Sequence, residues 1–521
     1  MKNKYLIYIF LIVFLSCKKR TKNISWNGNY ILPISTDTVN LSKLIGFDNL
    51  YLSNDGTHNI YTKSFEVFKL QQEDFLPNFN FTVIDTLEIP SFIYGVPFPP
   101  GFEIPISYNE SQTLDFGDVK LKEIDFNNLK LKYSVKSNIN GIMYLIINIP
   151  TAKNNVGNDF TDTLLIPNTN GVLDTYEGSI YLDNYIFDFS NSNSSFNHLA
   201  TSIRFGYSTE NTQNTVLNSN DFISIDLTLE DLNIRSLSGY LGNKEISDTS
   251  EIRVLFTDNL SAKNIEIEDP ELKLSISNGI GVDAQIKINE VMFNKDQDKL
   301  PLQHPTIGQT INLSRANNLG ANIQFGYAEI LFTNQNSNLN DLISFFPETV
   351  DLNYDIEINP MGNHSAYNDF YNDSLSLVIN SDIKIPLKFN VNDLKFTDTV
   401  SLSLTDQIQP NNVLINIDVI NEFPVNCCFA IKFLNGDSLI MDSNCVSSAI
   451  INDYGIFSEA TTSQLQIYLD NHKTNFLIND KKFIFEITFN SPDTILKNPI
   501  LNNQNIYYKI DLELDTQIEI N

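Results

Sequence analysis

Side chains that could do chemistry at neutral pH are few in this 521-residue chain, and they are scattered. His58, His198, His304, His364 and His472 stand far apart, and none has a second histidine two or four positions away. A zinc hydrolase needs His-Glu-x-x-His on one helical face, a serine hydrolase a Gly-x-Ser-x-Gly elbow, and a phosphate cradle Gly-x-x-x-x-Gly-Lys. The chain has none of these. It reads as a non-enzyme with no catalytic residues, no metal and no cofactor. Asn294-Lys-Asp-Gln-Asp298 sets oxygen ligands at alternate positions, as a calcium loop does. It lacks the glycine at the sixth position, and Pro305 stands where the closing glutamate belongs, so it reads as an exposed acidic turn. Cys427, Cys428 and Cys445 lie close together near the C-terminus. In an oxidising compartment they imply one bridge, Cys445 with either Cys427 or Cys428, because neighbours on a strand face opposite ways. Three buried thiols acting as small hydrophobes are the alternative. Tyr94, Phe98 and Phe102, in a loop rich in proline and glycine, offer a platform for stacking on a ligand; the competing role is to plug a seam between domains.

The elements that must position these residues are strands. Alternation with period two dominates: Leu387, Phe389 and Val391 fall on one face, with Lys388, Asn390 and Asn392 on the other. Tyr507 to Ile520 alternates in the same way. Helical periodicity is confined to Ser337–Phe346, closed by Pro347, and to Thr461–Leu469. The fold class is therefore all-β: several serial antiparallel sandwiches of immunoglobulin or fibronectin-III-like type, elongated, with few short helices. A chain this long exceeds one core. Boundaries near 115, 235 and 410 give an N-terminal region of strands and proline-rich loop (17–115), a sandwich (116–235), a β-rich middle region (236–410) and a C-terminal sandwich (411–521). The stretch Pro90–Ile106 reads as a loop, because proline cannot join a central strand. Net charge is −29, which repels phosphate backbones and removes nucleic acid as a partner. With 22 Tyr and 36 Phe, the chain has the apolar content to fold despite that charge.

The first residues carry the strongest compartment signal. Met1-Lys-Asn-Lys4, an apolar run from Tyr5 to Leu15, and Ser16 have the layout of an export signal. The run is too short to span a membrane. Cys17, directly after the small residue, resembles the bacterial lipobox, where signal peptidase II cleaves and the new N-terminal cysteine carries lipid, palmitate included. Phe14 and Leu15 depart from the Leu and small residue usual at those positions. The resemblance makes residues 1–16 a signal peptide, Cys17 the lipidation site and the outer membrane the location. Lys18, Lys19, Arg20 and Lys22 precede the first acidic residue, Asp37, which tilts the expectation toward the periplasmic face over the cell surface. Four cations also suit anionic lipid.

Four segments share a pattern of alternating strand, then Asn with nearby Gly or Pro, then a second strand: Leu129–Ile142, Leu272–Val282, Val350–Gly362 and Val413–Val425. The pattern resembles hairpins of LEA14-type, fibronectin-III-like sandwich domains. The layout, with Ser25-Trp-Asn-Gly-Asn-Tyr-Ile-Leu-Pro-Ile34 opening the mature chain, resembles large uncharacterised lipoproteins of Bacteroidota type, from which no activity carries over. Asp-Ser/Thr-aliphatic recurs around Thr38, Thr86, Thr163, Ser374, Thr399, Ser438 and Thr494, similar to the O-glycosylation sequon of exported Bacteroidota proteins. The expected function is a lipid-anchored structural or accessory subunit of a cell-envelope assembly, its partners the membrane and envelope proteins. A carbohydrate-binding or adhesive surface lipoprotein and a β-rich lipid-transfer protein are the alternatives. An exposed aromatic row would favour the glycan binder, an unpaired edge strand the subunit, and an apolar tunnel the carrier.

Overall fold

The computed structural model describes residues 24–45, 50–75, 81–190, 196–253, 260–318, 322–402, 410–433, 444–451, 457–480, 482–492, 498–501 and 503–520. Alternating burial along nearly every strand builds three antiparallel sandwiches on one plan, each pairing a sheet built on four long strands with a second sheet of at least three; in the second sandwich the short strand Leu50–Leu52 adds a fifth to the first sheet. The first sandwich has the order β3(Phe81–Thr86)-β10(Ile223–Glu230)-β6(Lys130–Ser137)-β8(Asp174–Tyr181) in one sheet. Its second sheet contains β4(Glu103–Thr113)-β9(His198–Tyr207)-β7(Met143–Asn154), extended through Tyr185–Asp188 to β5(Lys120–Asn127) and β11(Asn233–Tyr240). The second sandwich repeats this as β2(Asn59–Lys69)-β19(Leu377–Pro386)-β14(Glu271–Asn278)-β16(Gly326–Thr333) over β12(Lys244–Arg253)-β17(Thr349–Ile358)-β15(Ala284–Lys295). The third is β1(Ile24–Asn40)-β25(Asn505–Ile520)-β21(Pro410–Asn421)-β23(Thr461–Leu469) over β20(Lys388–Ser401)-β24(Lys482–Asn490)-β22(Asn426–Lys432), extended by β13(Leu260–Ile267).

This plan changes the reading of the N-terminal region. Residues 24–86 add one long strand to a sheet of every sandwich, in reverse order: β1 to the third, β2 (with the short Leu50–Leu52 at its outer edge) to the second, β3 to the first. Strands also cross the other expected boundaries. β20, at 388–401, belongs to the third sandwich, ahead of the boundary placed at 410. β13 joins that sandwich from the middle region, and β18(Asp369–Asn372) pairs with β11 of the first. Alternation identifies a strand but is blind to a partner hundreds of residues away, which is why these pairings were not legible.

The repeated Asn motif is an arch, not the expected hairpin. β6 and β7, β14 and β15, and β21 and β22 lie in opposite sheets, so the chain turns across the core. Asn278, fully buried, makes this possible in the second sandwich. Its Nδ2 donates to Val282 O (2.7 Å) and Ser314 O (3.0 Å), and its Oδ1 accepts from Ile280 N–H (3.1 Å). Asn421, also fully buried, repeats all three bonds in the third, with Val425 O (2.9 Å), Ser447 O (3.0 Å) and Phe423 N–H (2.9 Å). In the first, Ser137 accepts from Ile139 N–H (3.1 Å), and Asn211 brackets Ile142 from outside. The fourth copy ends at Asn359, whose amide donates to Gly242 O and to the Asp369 carboxylate (2.8 Å) at the junction of the first two sandwiches. Asp369 is 1% exposed, accepts from Leu241 N–H, and faces the Arg315 guanidinium at 3.6 Å.

Local expectations meet the structure unevenly. Leu339–Ser344 is a helix, but Thr461–Leu469 is strand β23, with Leu465, Ile467 and Leu469 buried in alternation; the helix follows at Asn471–Asp480. Its Thr-Thr-Ser start favours extended backbone over a helical turn. The proline-rich stretch is only partly loop. It holds a 3₁₀ turn (Ser91–Ile93) and a short strand (Pro97–Phe98), and Pro105 lies inside β4. β4 is an edge strand, and Pro105 stands opposite a register shift between Arg204 and Gly206, where a missing N–H is tolerated.

Candidate functional site

Among the described residues, an open concave surface built from four strands lies on the outer face of the third sandwich. From Ile506 to Leu514 of β25 the even-numbered side chains are buried in the core, so Tyr507 and Lys509 point out. Cross-strand register aligns two rows over the four strands. One is Thr38–Tyr507–Ile420–Thr462; the other is Thr36–Lys509–Asp418–Gln464. They line a groove of about 570 Å³. Tyr507 is 41% exposed and Ile420 43%, so the first row is a strip of apolar surface left in water. The second alternates hydroxyl, ammonium, carboxylate and amide. Lys509 hydrogen-bonds to Asp511, which with its burial-opposed pairing holds the ammonium above its ordinary value.

Beneath this face, Asp37 and Tyr508 meet at 3.3 Å. Partial burial pushes the Asp37 carboxyl up, but Lys43 and the Thr38 N–H outweigh it and leave it below its ordinary value. Burial, helped by Asp37, pushes the Tyr508 hydroxyl well up. Burial does the same to Tyr61, Tyr207 and the Cys427 thiol. Folded-state values raised above unfolded ones mean stability that is complete below the unfolded values, 9.0 for the thiol and 10.0 for the phenols, and lost as pH climbs beyond them. The urea midpoint should therefore hold to about pH 8.5 and fall by about pH 10.5; an unchanged midpoint at the higher pH would contradict this account.

The sequence-derived residues are placed as follows. Cys17 lies outside the described residues. Cys428 bonds to Cys445 (S–S 1.97 Å) across β22 and the short strand Cys445–Val446, and Cys427 is a buried free thiol on the other face. Closing that 17-residue separation stabilises the sandwich by about 3 kcal/mol on the chain-entropy scale. Tyr94, Phe98 and Phe102 do not form an exposed row. Phe98 is buried, stacked on Phe102 at 5.1 Å and packed on Tyr207; only Phe102 reaches the surface, and half-buried Tyr94 donates to Ile89 O (2.8 Å). Two-residue connection of β15 to the strand Asp298–Pro301 leaves Asp296 at φ 51°, so Asn294–Asp298 is a tight hairpin turn, with Asn294 donating to Thr349. No group of three or more His, Cys, Asp or Glu able to hold a metal occurs among the described residues.

Thr86, Thr163, Ser374 and Thr399 are exposed and Thr38 is half-buried, whereas Ser438 and Thr494 lie outside the described residues. At Thr38, Thr163 and Thr399 the backbone N–H donates to the preceding aspartate (2.7–2.8 Å), a shared geometry that holds each site extended. His198 meets Ser111, but the hydroxyl straddles both ring nitrogens at 3.0 and 3.4 Å, with no third group among the described residues orienting the ring as a nucleophile–base pair requires. His304 packs edge-on against Phe332, and burial lowers its pKa. Apart from Thr38, which the sequence marks only as a glycosylation sequon, the groove residues were not singled out from the sequence. Tyr507 belonged to a recognised alternating run, yet its row neighbours come from segments more than forty residues away.

No protein-family model matches the chain, and no curated protein matches it. Among solved structures, a Parabacteroides distasonis protein described as secreted aligns at 9% identity and TM-score 0.25, over 52% of this chain and 82% of its own. The tandem CBM22 domains of Paenibacillus barcinonensis Xyn10C align at 7% identity and TM-score 0.14, over 53% and 92%. A Sulfolobus turreted icosahedral virus structure aligns at 12% identity and TM-score 0.12, over 85% and 92%. At such TM-scores the likenesses carry no argument about fold or function.

Proposed function

We propose that the protein is a lipid-anchored outer-membrane lipoprotein that serves as a structural, protein-binding subunit of an envelope assembly. The observation that carries this reading is the path of residues 24–86, which stitch three sandwiches together. A chain held by lipid at Cys17 passes through six residues, at most about 20 Å, before it enters β1. The anchor therefore acts directly on the third sandwich, and through the same segment on the other two. That is a construction suited to holding a body in place. Edge strands add a means of contact: β1 and β12 each pair with a strand on one side only among the described residues, and such edges accept a partner's strand. The basic run after Cys17 points this body toward the periplasmic face.

The test is affinity purification of the palmitate-labelled protein after mild cross-linking of intact envelopes. Defined outer-membrane proteins are expected in stoichiometric yield. Cys17→Ala should abolish labelling, release the chain from membranes and lose those partners. Wild-type protein recovered alone, or Cys17→Ala still labelled, rejects the reading. Protease shaving of whole cells separates periplasmic from surface display. Intact mass of the same preparation reports hexose-sized increments if the exposed Asp-Ser/Thr sites at Thr86, Thr163, Ser374 and Thr399 carry glycan.

A further inference from the structure

We propose that the groove across β1, β25, β21 and β23 is a binding site for a neutral polysaccharide chain, carried by the juxtaposition of the Tyr507–Ile420 strip with the parallel Thr36–Lys509–Asp418–Gln464 row. The rows are two residues apart along the strands, about 7 Å, and each crosses four strands about 4.8 Å apart. A sugar ring offers one C–H-rich face and an equatorial edge of hydroxyls. Laid across the strands, it sets its apolar face on the Tyr507 ring and its hydroxyls against the second row, where Asp418 and Gln464 accept and Lys509, Gln464 and Thr36 donate. Aromatic rings at such sites supply large contact area at little entropy cost.

Other ligands fit less well. The second row sets Lys509 opposite Asp418 in register, but the Lys509 ammonium is already hydrogen-bonded to Asp511, so this surface is net negative and, with the chain's charge of −29, repels polyanions. Lipid would leave the hydroxyl, amide and carboxylate groups of the floor without partners. A peptide strand needs a free sheet edge for its backbone, and this is a face. The volume, about 570 Å³, lies within the range of small-ligand sites, roughly 300–1,000 Å³. This inference stands apart from the scaffold reading, which needs only the lipid and the edges, and either can fail alone.

The experiment is affinity electrophoresis of the detergent-solubilised full chain through galactomannan, xylan, mixed-linkage β-glucan and, as the acidic comparison, polygalacturonate. At least one neutral polymer is expected to retard the protein, and polygalacturonate is not. Tyr507→Ala should weaken that retardation roughly tenfold, and Asp418→Ala should weaken it to a similar degree. Tyr468→Ala, which removes an exposed ring on the same face outside the groove, should leave it unchanged. Thermal melting of all three variants guards against unfolding. Retardation by no neutral polymer overturns the proposal, as does equal retardation by polygalacturonate or a folded Tyr507→Ala chain that migrates like wild type.

Discussion

Val39→Asp is expected to unfold the third sandwich. Val39 is fully buried on β1 and pairs with Ile506 of β25. An aspartate there sits in the core without a cation built to meet it, and substitutions of that kind cost about 4 kcal/mol or more. The effect should be local before it is global, because β1 is the strand that completes only this sandwich. Cys427 provides the readout. Its thiol is buried in the same sandwich and inert to alkylation while the fold holds. Maleimide should label Cys427 rapidly in Val39→Asp and slowly in wild type, in a Cys17→Ala background. Thr36→Asp, three residues earlier but outward-facing, should leave labelling slow, since exposed substitutions stay within about 0.5 kcal/mol. Equal labelling of the two variants would mean that β1 is not integral to the third sandwich, and would remove the support for the anchor acting through it.

The same strand shows what the sequence could and could not convey. Tyr507 to Leu514 displays its burial pattern locally, whereas Ile31 to Val39, with Ile31 exposed and a register shift between Pro33 and Ser35, does not; alternation elsewhere was enough to establish an all-β chain. That these two segments are neighbours, at opposite ends of the polypeptide, is not encoded in either one's periodicity. The pairing depends on which edges remain available once the intervening strands have folded. Thr461–Leu469 illustrates the converse. Its β-branched Thr-Thr start favoured extended backbone, but with no apolar residue before Leu465 the alternation is short, and burial of Leu465, Ile467 and Leu469 against the core settled it. The groove fell to the same limit as the pairings: each residue was visible as an ordinary surface position, and only register brings Tyr507 beside Ile420 and Lys509 beside Asp418.

The arches were the one long-range feature with a local signature, and they support the second large effect. Asn278→Ala and Asn421→Ala should each destabilise their own sandwich by about 3 kcal/mol. Each substitution removes three hydrogen bonds and strands a buried backbone N–H and one buried carbonyl, each costing roughly 1–3 kcal/mol before relaxation, while the carbonyl of Ser314 or Ser447 lies on an exposed residue. Ser137→Ala should cost no more than about 1.5 kcal/mol, because one bond is lost and Asn211 still brackets the turn. Hydrogen exchange assigns the losses: Asn278→Ala should accelerate exchange in β14, β15 and β17, and Asn421→Ala in β21, β22 and β24. Equal costs in two sandwiches with little sequence in common would establish that a buried Asn turning the chain across the core is the device repeated here. If instead Asn421→Ala proves neutral while Asn278→Ala does not, the matched bonds are a coincidence of two turns, and the three sandwiches share a strand order without sharing what holds it.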